Sequence, residues 1–105
     1  MRLQNLLRVA PSEIHGRGVF LRRDIDAGTF LGTYGGRTVR HDGKYVLWVE
    51  EAHRIVGRAG LAPLKYLNHA DAPNTYFDGF DLYALRAVKA GEELTFDYGE
   101  EWRSS

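Results

Sequence analysis

Two short stretches carry side chains suited to holding a polar ligand. In Tyr66-Leu-Asn-His-Ala-Asp-Ala-Pro-Asn74, Asn68 and His69 directly follow an apolar run, and Pro73-Asn74 reads as a turn. Asn and His both donate and accept hydrogen bonds, a repertoire that suits a purine edge and its ribose. Further along, Gly91-Glu-Glu-Leu-Thr-Phe-Asp-Tyr-Gly99 ends in a tyrosine followed by glycine, as does Thr29-Phe-Leu-Gly-Thr-Tyr-Gly35. Tyr34 and Tyr98, if brought into one site, supply hydroxyls able to donate and accept. Gly16-Arg-Gly18 offers backbone that can lie close to a ligand, because neither glycine carries a Cβ.

Other chemistries are excluded by residue type or spacing. Gly16-Arg-Gly18 begins like a dinucleotide fingerprint, but the third glycine would fall at Leu21 and no helical pattern follows. Asp24-Ile-Asp-Ala-Gly28 has the look of a calcium loop, yet Gly35 stands where the loop's closing glutamate is required. His15, His41, His53 and His69 show no metal-ligand spacing, so no metal is expected. Serines stand only at 12, 104 and 105, none of them on an apparent nucleophile turn. The chain has no cysteine, which rules out disulfides, thiolate zinc sites and cysteine nucleophiles.

A small body has to position these residues. At 105 residues, one domain over 1–105 with one modest core is expected. Hydrophobic residues make up 44% and charged residues 27%, the balance of an ordinary globular protein. No apolar run approaches the roughly 18 residues of a membrane-spanning helix. The N-terminal stretch does not read as a signal peptide, so a cytoplasmic location is expected. Fourteen basic residues balance fourteen acidic ones, which argues against a generic nucleic-acid binder. The distribution is uneven: residues 1–60 carry a net charge of +4 and residues 61–105 a net of −4. The acidic half ends in Asp97, Glu100 and Glu101, and suits a positively charged partner.

Between regularly spaced glycines the apolar runs are short and rich in β-branched and aromatic residues. Gly18–Leu21, Thr29–Leu31, Tyr45–Val49, Arg54–Val56, Asp81–Leu85 and Glu93–Phe96 read as strands. No segment sustains a helical apolar period over three turns, so helix is confined to a turn or two within Leu61–Leu67 and a turn at Glu50–His53. The chain also repeats itself. Val19-Phe-Leu-Arg-Arg-Asp-Ile-Asp-Ala-Gly28 aligns with Leu82-Tyr-Ala-Leu-Arg-Ala-Val-Lys-Ala-Gly91 at an offset of 63 residues. Each copy reads as strand, Ala-Gly turn and strand, the second strands running Thr29–Tyr34 and Glu92–Tyr98. Two such hairpins would bring Tyr34 and Tyr98 together.

Three blocks together resemble the SET-domain protein-lysine methyltransferases, in that family's order and over residues 15–99. His15-Gly-Arg-Gly-Val-Phe20 is similar to the N-terminal glycine motif, Leu67-Asn-His-Ala-Asp-Ala-Pro-Asn74 to the Asn-His-Ser-x-x-Pro-Asn motif, and Ala90-Gly-Glu-Glu-Leu-Thr-Phe-Asp-Tyr-Gly99 to the C-terminal tyrosine motif. The resemblance implies a mostly β, β-clip-like fold of several short sheets with little helix. It implies a pseudoknot in which the Asn68–Asn74 segment and the Leu94–Gly99 strand thread past each other. It implies S-adenosylmethionine as cofactor, its methionine end held by backbone at Gly16, Arg17 and Gly18. Asn68 and His69 would hold the amino-acid and adenine portions. Tyr98 matches the catalytic tyrosine and Tyr34 the tyrosine that bonds the lysine amine from the other side. Phe96, Phe77 and Trp102 would wall the lysine channel. Phe96 stands at the family's Phe/Tyr switch, where phenylalanine leaves room for di- or trimethyl-lysine.

The chain departs from the family at several points. Ala70 replaces the serine after Asn-His, the insert between Val49 and Leu61 is short, and no cysteine-rich tail follows Gly99. The reading implied by the resemblance is methyl transfer to lysine in a basic protein such as a histone tail, histone-like protein or ribosomal protein. Neither direct nucleic-acid contact nor a membrane is expected, and so short a chain is compatible with a homodimer. The competing reading is a catalytically silent interaction module of the same fold that binds a basic protein.

Overall fold

Glycine-punctuated apolar runs fold into ten short strands in the computed structural model, which describes residues 6–97. Strands β1 (Leu7–Pro11) and β2 (Arg17–Leu21) form an antiparallel hairpin in which Pro11 faces Arg17. Strands β3 (Phe30–Thr33) and β4 (Gly36–Val39) follow. A second hairpin joins β5 (Val46–Glu51) to β6 (Arg54–Gly60) through Ala52 and His53, both at positive φ (46° and 66°). Two such residues in succession give the turn the right-handed twist of its strands. A 3-10 turn at Leu64–Tyr66 precedes β7 (Asn68–His69), β8 (Thr75–Asp78), β9 (Asp81–Ala84) and β10 (Glu93–Phe96). The strands make three small sheets, ordered β1-β2-β10-β7, β3-β9-β8 and β4-β6-β5.

The mostly β fold with almost no helix agrees with the sequence, and the expected apolar runs fall on β2, β3, β5, β6, β9 and β10. Three longer strands, β1, β4 and β8, carried no such signal. In β4, Gly-Arg-Thr-Val, three of the four residues are exposed, so its apolar pattern is nearly blank.

The 63-residue repeat organises the centre of the molecule, but its two copies are not separate hairpins. Each copy's second strand pairs with the other copy's first: β3 lies on β9, and β10 lies on β2. The linking stretches, 22–29 and 85–92, are too long for tight hairpin turns. Several of their backbone groups bond across to the other copy instead. Ile25 and Val88, equivalent positions, form an antiparallel bridge with N···O distances of 2.9 and 3.0 Å. Gly28 N–H donates to Ala84 O (2.8 Å), and its equivalent Gly91 N–H donates to Leu21 O (2.9 Å). Ala84 N–H donates to Thr29 O (2.9 Å), and Leu21 N–H to Glu92 O (3.2 Å). Each bond maps onto its mate at the same offset, which is the signature of an approximate two-fold axis through the Ile25–Val88 bridge. Gly28 and Gly91 make their matching turns at φ of +82° and +89°, a region glycine enters without a steric penalty.

The core obeys the same symmetry. Val19 and Leu82, Leu31 and Leu94, and Leu21 and Ala84 are equivalent pairs, and none of the six is more than 1% exposed. A fully buried leucine contributes roughly 1.5–3 kcal/mol.

Strand β10 is gripped from both sides. On one edge Glu93 and Leu94 pair antiparallel with Phe20 and Val19. On the other, Thr95 and Phe96 pair parallel with Asn68 and His69. Asn74 then continues this edge with its side chain. Its Nδ2 donates to Glu93 O (2.8 Å), and its Oδ1 accepts the Thr95 N–H (2.9 Å). Thr75 Oγ1 donates to Thr95 O at 2.6 Å. Pro73-Asn74 is therefore not an exposed turn: Asn74 is 4% exposed and stands in for a strand neighbour. Segment 68–75 and the last described strand cross closely, as the resemblance implies.

Candidate active site

The junction of β7 with β10 joins two clusters. The first surrounds Asn68, which β7 buries against the loop between β1 and β2. Its Nδ2 lies 2.8 Å from Glu93 Oε2, 3.0 Å from Arg17 O, 3.1 Å from His15 O and 3.1 Å from Ser12 Oγ. Ser12 closes its own loop by accepting the Ile14 N–H (2.9 Å), while Ser12 N–H donates to Gly16 O (2.8 Å). The Ser12 hydroxyl donates to the Glu93 carboxylate, at 2.7 and 2.9 Å from its two oxygens. Gly18 makes this reach possible, since a Cβ there would collide with the Glu93 carboxylate. Gly16, at φ +48°, meets nothing and serves the turn. Arg17 offers its carbonyl to the cluster.

His69, next along β7, stands between two carboxylates. Its Nε2 lies 2.9 Å from Asp71 and its Nδ1 3.7 Å from Asp97. Its register partner is Phe96, which leads to the second cluster.

That cluster is a row of aromatic rings. Phe96 meets Phe77 edge to face at 5.2 Å between centroids, and Phe77 meets Tyr34 edge to face at 5.8 Å. Such pairs are worth about 0.5–1.5 kcal/mol beyond their buried area. The Tyr34 hydroxyl donates to Tyr45 O at 2.6 Å, and the Tyr34 carbonyl accepts from Arg58 Nη1 at 3.0 Å. Gly60 lies against the ring so closely that a Cβ would collide with it. Beside the row runs a groove of about 440 Å³, lined by Leu47, Val49, Pro73, Phe77, Phe96 and Asp97 among others. Tyr34 is buried and touches the groove-lining Phe77 without being among the lining residues itself.

A backbone-rich polar cradle, an Asn-His pair and an aromatic row thus sit along one crossing of two strands. The sequence profile of the SET domain matches residues 16–99, which contain every part of it except Ser12 and His15. The chain belongs to the SET-domain family. Its relatives include the human histone-lysine N-methyltransferase 2B, 31% identical over 83% of this chain and 4% of the relative. The Arabidopsis thaliana histone-lysine N-methyltransferase MEDEA is 29% identical over 86% of this chain and 16% of the relative. The Drosophila melanogaster histone-lysine N-methyltransferase trithorax is 28% identical over 83% of this chain and 3% of the relative. This SET domain therefore spans only a small part of the length of each of these relatives.

Among the residues singled out from sequence, Tyr34, Phe77 and Phe96 come together in the aromatic row. Asn68 meets the backbone of the Gly16–Gly18 loop, and His69 connects the two groups. Tyr98 and Trp102 lie outside the described residues. Sequence reasoning passed over Ser12, set aside as a nucleophile, and Glu93. The available signal was strand alternation, which puts Glu93 and Thr95 on one face of β10 and Leu94 on the other. Gly60 was also missed, because only the fold reveals the ring packed upon it.

Proposed function

We propose that this SET domain transfers a methyl group from S-adenosylmethionine to the side-chain amine of lysine in a basic protein. The observation that carries the reading is the contiguous arrangement at the β7–β10 junction: an acceptor-rich cradle at Asn68, then His69, then the row Phe96–Phe77–Tyr34. The names of the relatives support histone lysine as the substrate class. The residues present fit the cofactor, because the carbonyls of His15 and Arg17 and the Glu93 carboxylate gather around Asn68 Nδ2 in excess of its two hydrogens, and such acceptors suit an α-ammonium. Gly16, Arg17 and Gly18 would hold the methionine end by their backbone, with Asn68 and His69 holding the amino-acid and adenine portions. When bound, the cofactor supplies an electrophilic methyl on a sulfonium.

The chain's own residues prepare the nucleophile. A lysine amine has an unperturbed pKa of about 10.4 and attacks only when neutral. The apolar walls of Phe77 and Phe96 disfavour its charged form by excluding water. They also confine it in line with the methyl, converting encounter into orientation. Tyr34, by its match to the family's second tyrosine, is assigned the role of bonding the lysine amine, and its hydroxyl is oriented by donating its proton to Tyr45 O. Tyr98, by its match to the family's tyrosine, is assigned the place beside the transferring methyl. Asp97 at the groove adds negative charge that favours a basic peptide.

The test is transfer of labelled methyl from S-adenosylmethionine to a panel of histones and other lysine-rich proteins, with the wild-type chain beside Tyr98→Phe. Transfer by the wild type and its loss in a Tyr98→Phe chain of unchanged circular dichroism is the expected result. A wild type that transfers nothing while still retaining a basic protein would instead favour the interaction-module reading.

A further inference from the structure

Asn68 faces more acceptors than it can serve. Its amide carries two hydrogens, yet Glu93 Oε2, Arg17 O, His15 O and Ser12 Oγ all lie 2.8–3.1 Å from Nδ2. Ser12 adds no further donor to the carbonyls, because its proton goes to Glu93. Among the described residues Glu93 in turn receives only neutral donors, Ser12 Oγ and Asn68 Nδ2. No ion pair reaches it from a cation among the described residues. The cluster thus holds a formal negative charge and a surplus of acceptors in a half-buried place. Such an arrangement is costly until further donors arrive. An ammonium group, with three N–H donors and a positive charge, is its complement.

We infer that Glu93 and Ser12 are positioning residues for the α-ammonium end of the cofactor, an inference that rests on the S-adenosylmethionine reading above. Glu93 acts at a distance from the transferred methyl. Its carboxylate, seated over Gly18, fixes the Asn68 amide and through Ser12 fixes the 12–16 loop. The carbonyls of His15 and Arg17 are thereby held toward one point. It also supplies the negative charge that selects an amino-acid end over a bare nucleoside.

Calorimetric titration of the whole chain tests this with S-adenosylmethionine, S-adenosylhomocysteine and 5′-methylthioadenosine, which keeps the nucleoside and thioether but lacks the amino-acid end. Glu93→Gln is expected to weaken the first two about tenfold or more, the loss of one charge-assisted interaction, and to leave 5′-methylthioadenosine within about twofold. Ser12→Ala is expected to give the same pattern at smaller size, and carries the test if Glu93→Gln does not fold. Equal weakening of all three ligands, or no change in any, overturns the inference while wild-type binding keeps the cofactor reading. A wild type that binds none of the three overturns both.

Discussion

Phe96 illustrates how much one side chain in the aromatic row decides. It is half-buried, packs edge to face on Phe77 and lines the groove. A tyrosine at this position would place a hydroxyl beside the amine, hold a water there and take up the volume a second methyl needs. Under the proposed function the wild type is expected to proceed to di- or trimethyl-lysine, and Phe96→Tyr to stop at monomethyl-lysine. Mass spectrometry of a substrate peptide at completion reads this directly. Identical product distributions would leave Phe96 a packing residue only. Tyr34 and Phe96 were legible in the sequence, because each stands in a Tyr-Gly-ending strand pattern, whereas Phe77 lies outside the motif blocks. Ser12 and Glu93 were not legible. They are 81 residues apart, and a serine that serves a carboxylate looks like any loop serine until the fold brings the two together.

At the scale of elements, the site depends on where strands approach one another too closely for a side chain. Gly60 ends β6, and its N–H donates to Tyr45 O at 2.8 Å, the same carbonyl that receives the Tyr34 hydroxyl. A methyl at residue 60 would occupy the space of the Tyr34 ring. The backbone there is pinned by pairing with Gly36, so the ring must move instead. Gly60→Ala is expected to cost about 1–3 kcal/mol by overpacking, read as a lowered urea midpoint. It is also expected to reduce methyl transfer more than Phe96→Tyr does, because it breaks the Tyr34–Tyr45 contact. Full activity in Gly60→Ala would show that Tyr34 has no part in the chemistry. The strand that carries Phe96 was visible as the apolar run Glu93–Phe96, and the strand that leads to Tyr34 as the run Thr29–Leu31. Strand β8, which carries Phe77, was not among the runs read as strands.

For the whole molecule, the repeat at offset 63 was readable in the sequence, but the exchange of strands between its copies was not. A strand–turn–strand pattern is the same whether the second strand folds back on its own first or crosses to its neighbour's. The strand pairings β3–β9 and β2–β10, with the backbone bonds that Ile25, Gly28, Val88 and Gly91 make to the other copy, distinguish the two. The exchange has a consequence for stability. Neither copy has a core of its own, since Val19, Leu21 and Leu31 bury against a shared centre with Leu82, Ala84 and Leu94. The amides of Leu21, Ile25 and Gly28 and those of Ala84, Val88 and Gly91 should therefore open only when both copies open. Native-state hydrogen exchange is expected to give all six one common free energy, equal to that of global unfolding. Leu31→Ala and Leu94→Ala should each lower it by about 2–5 kcal/mol, across both copies alike. In the β5–β6 hairpin, whose Ile55 is 65% exposed, exchange is expected to be faster and little changed by either substitution. If Leu31→Ala loosened only the first copy's amides, the copies would be independent units, and the two-fold arrangement would be geometry without energetic coupling.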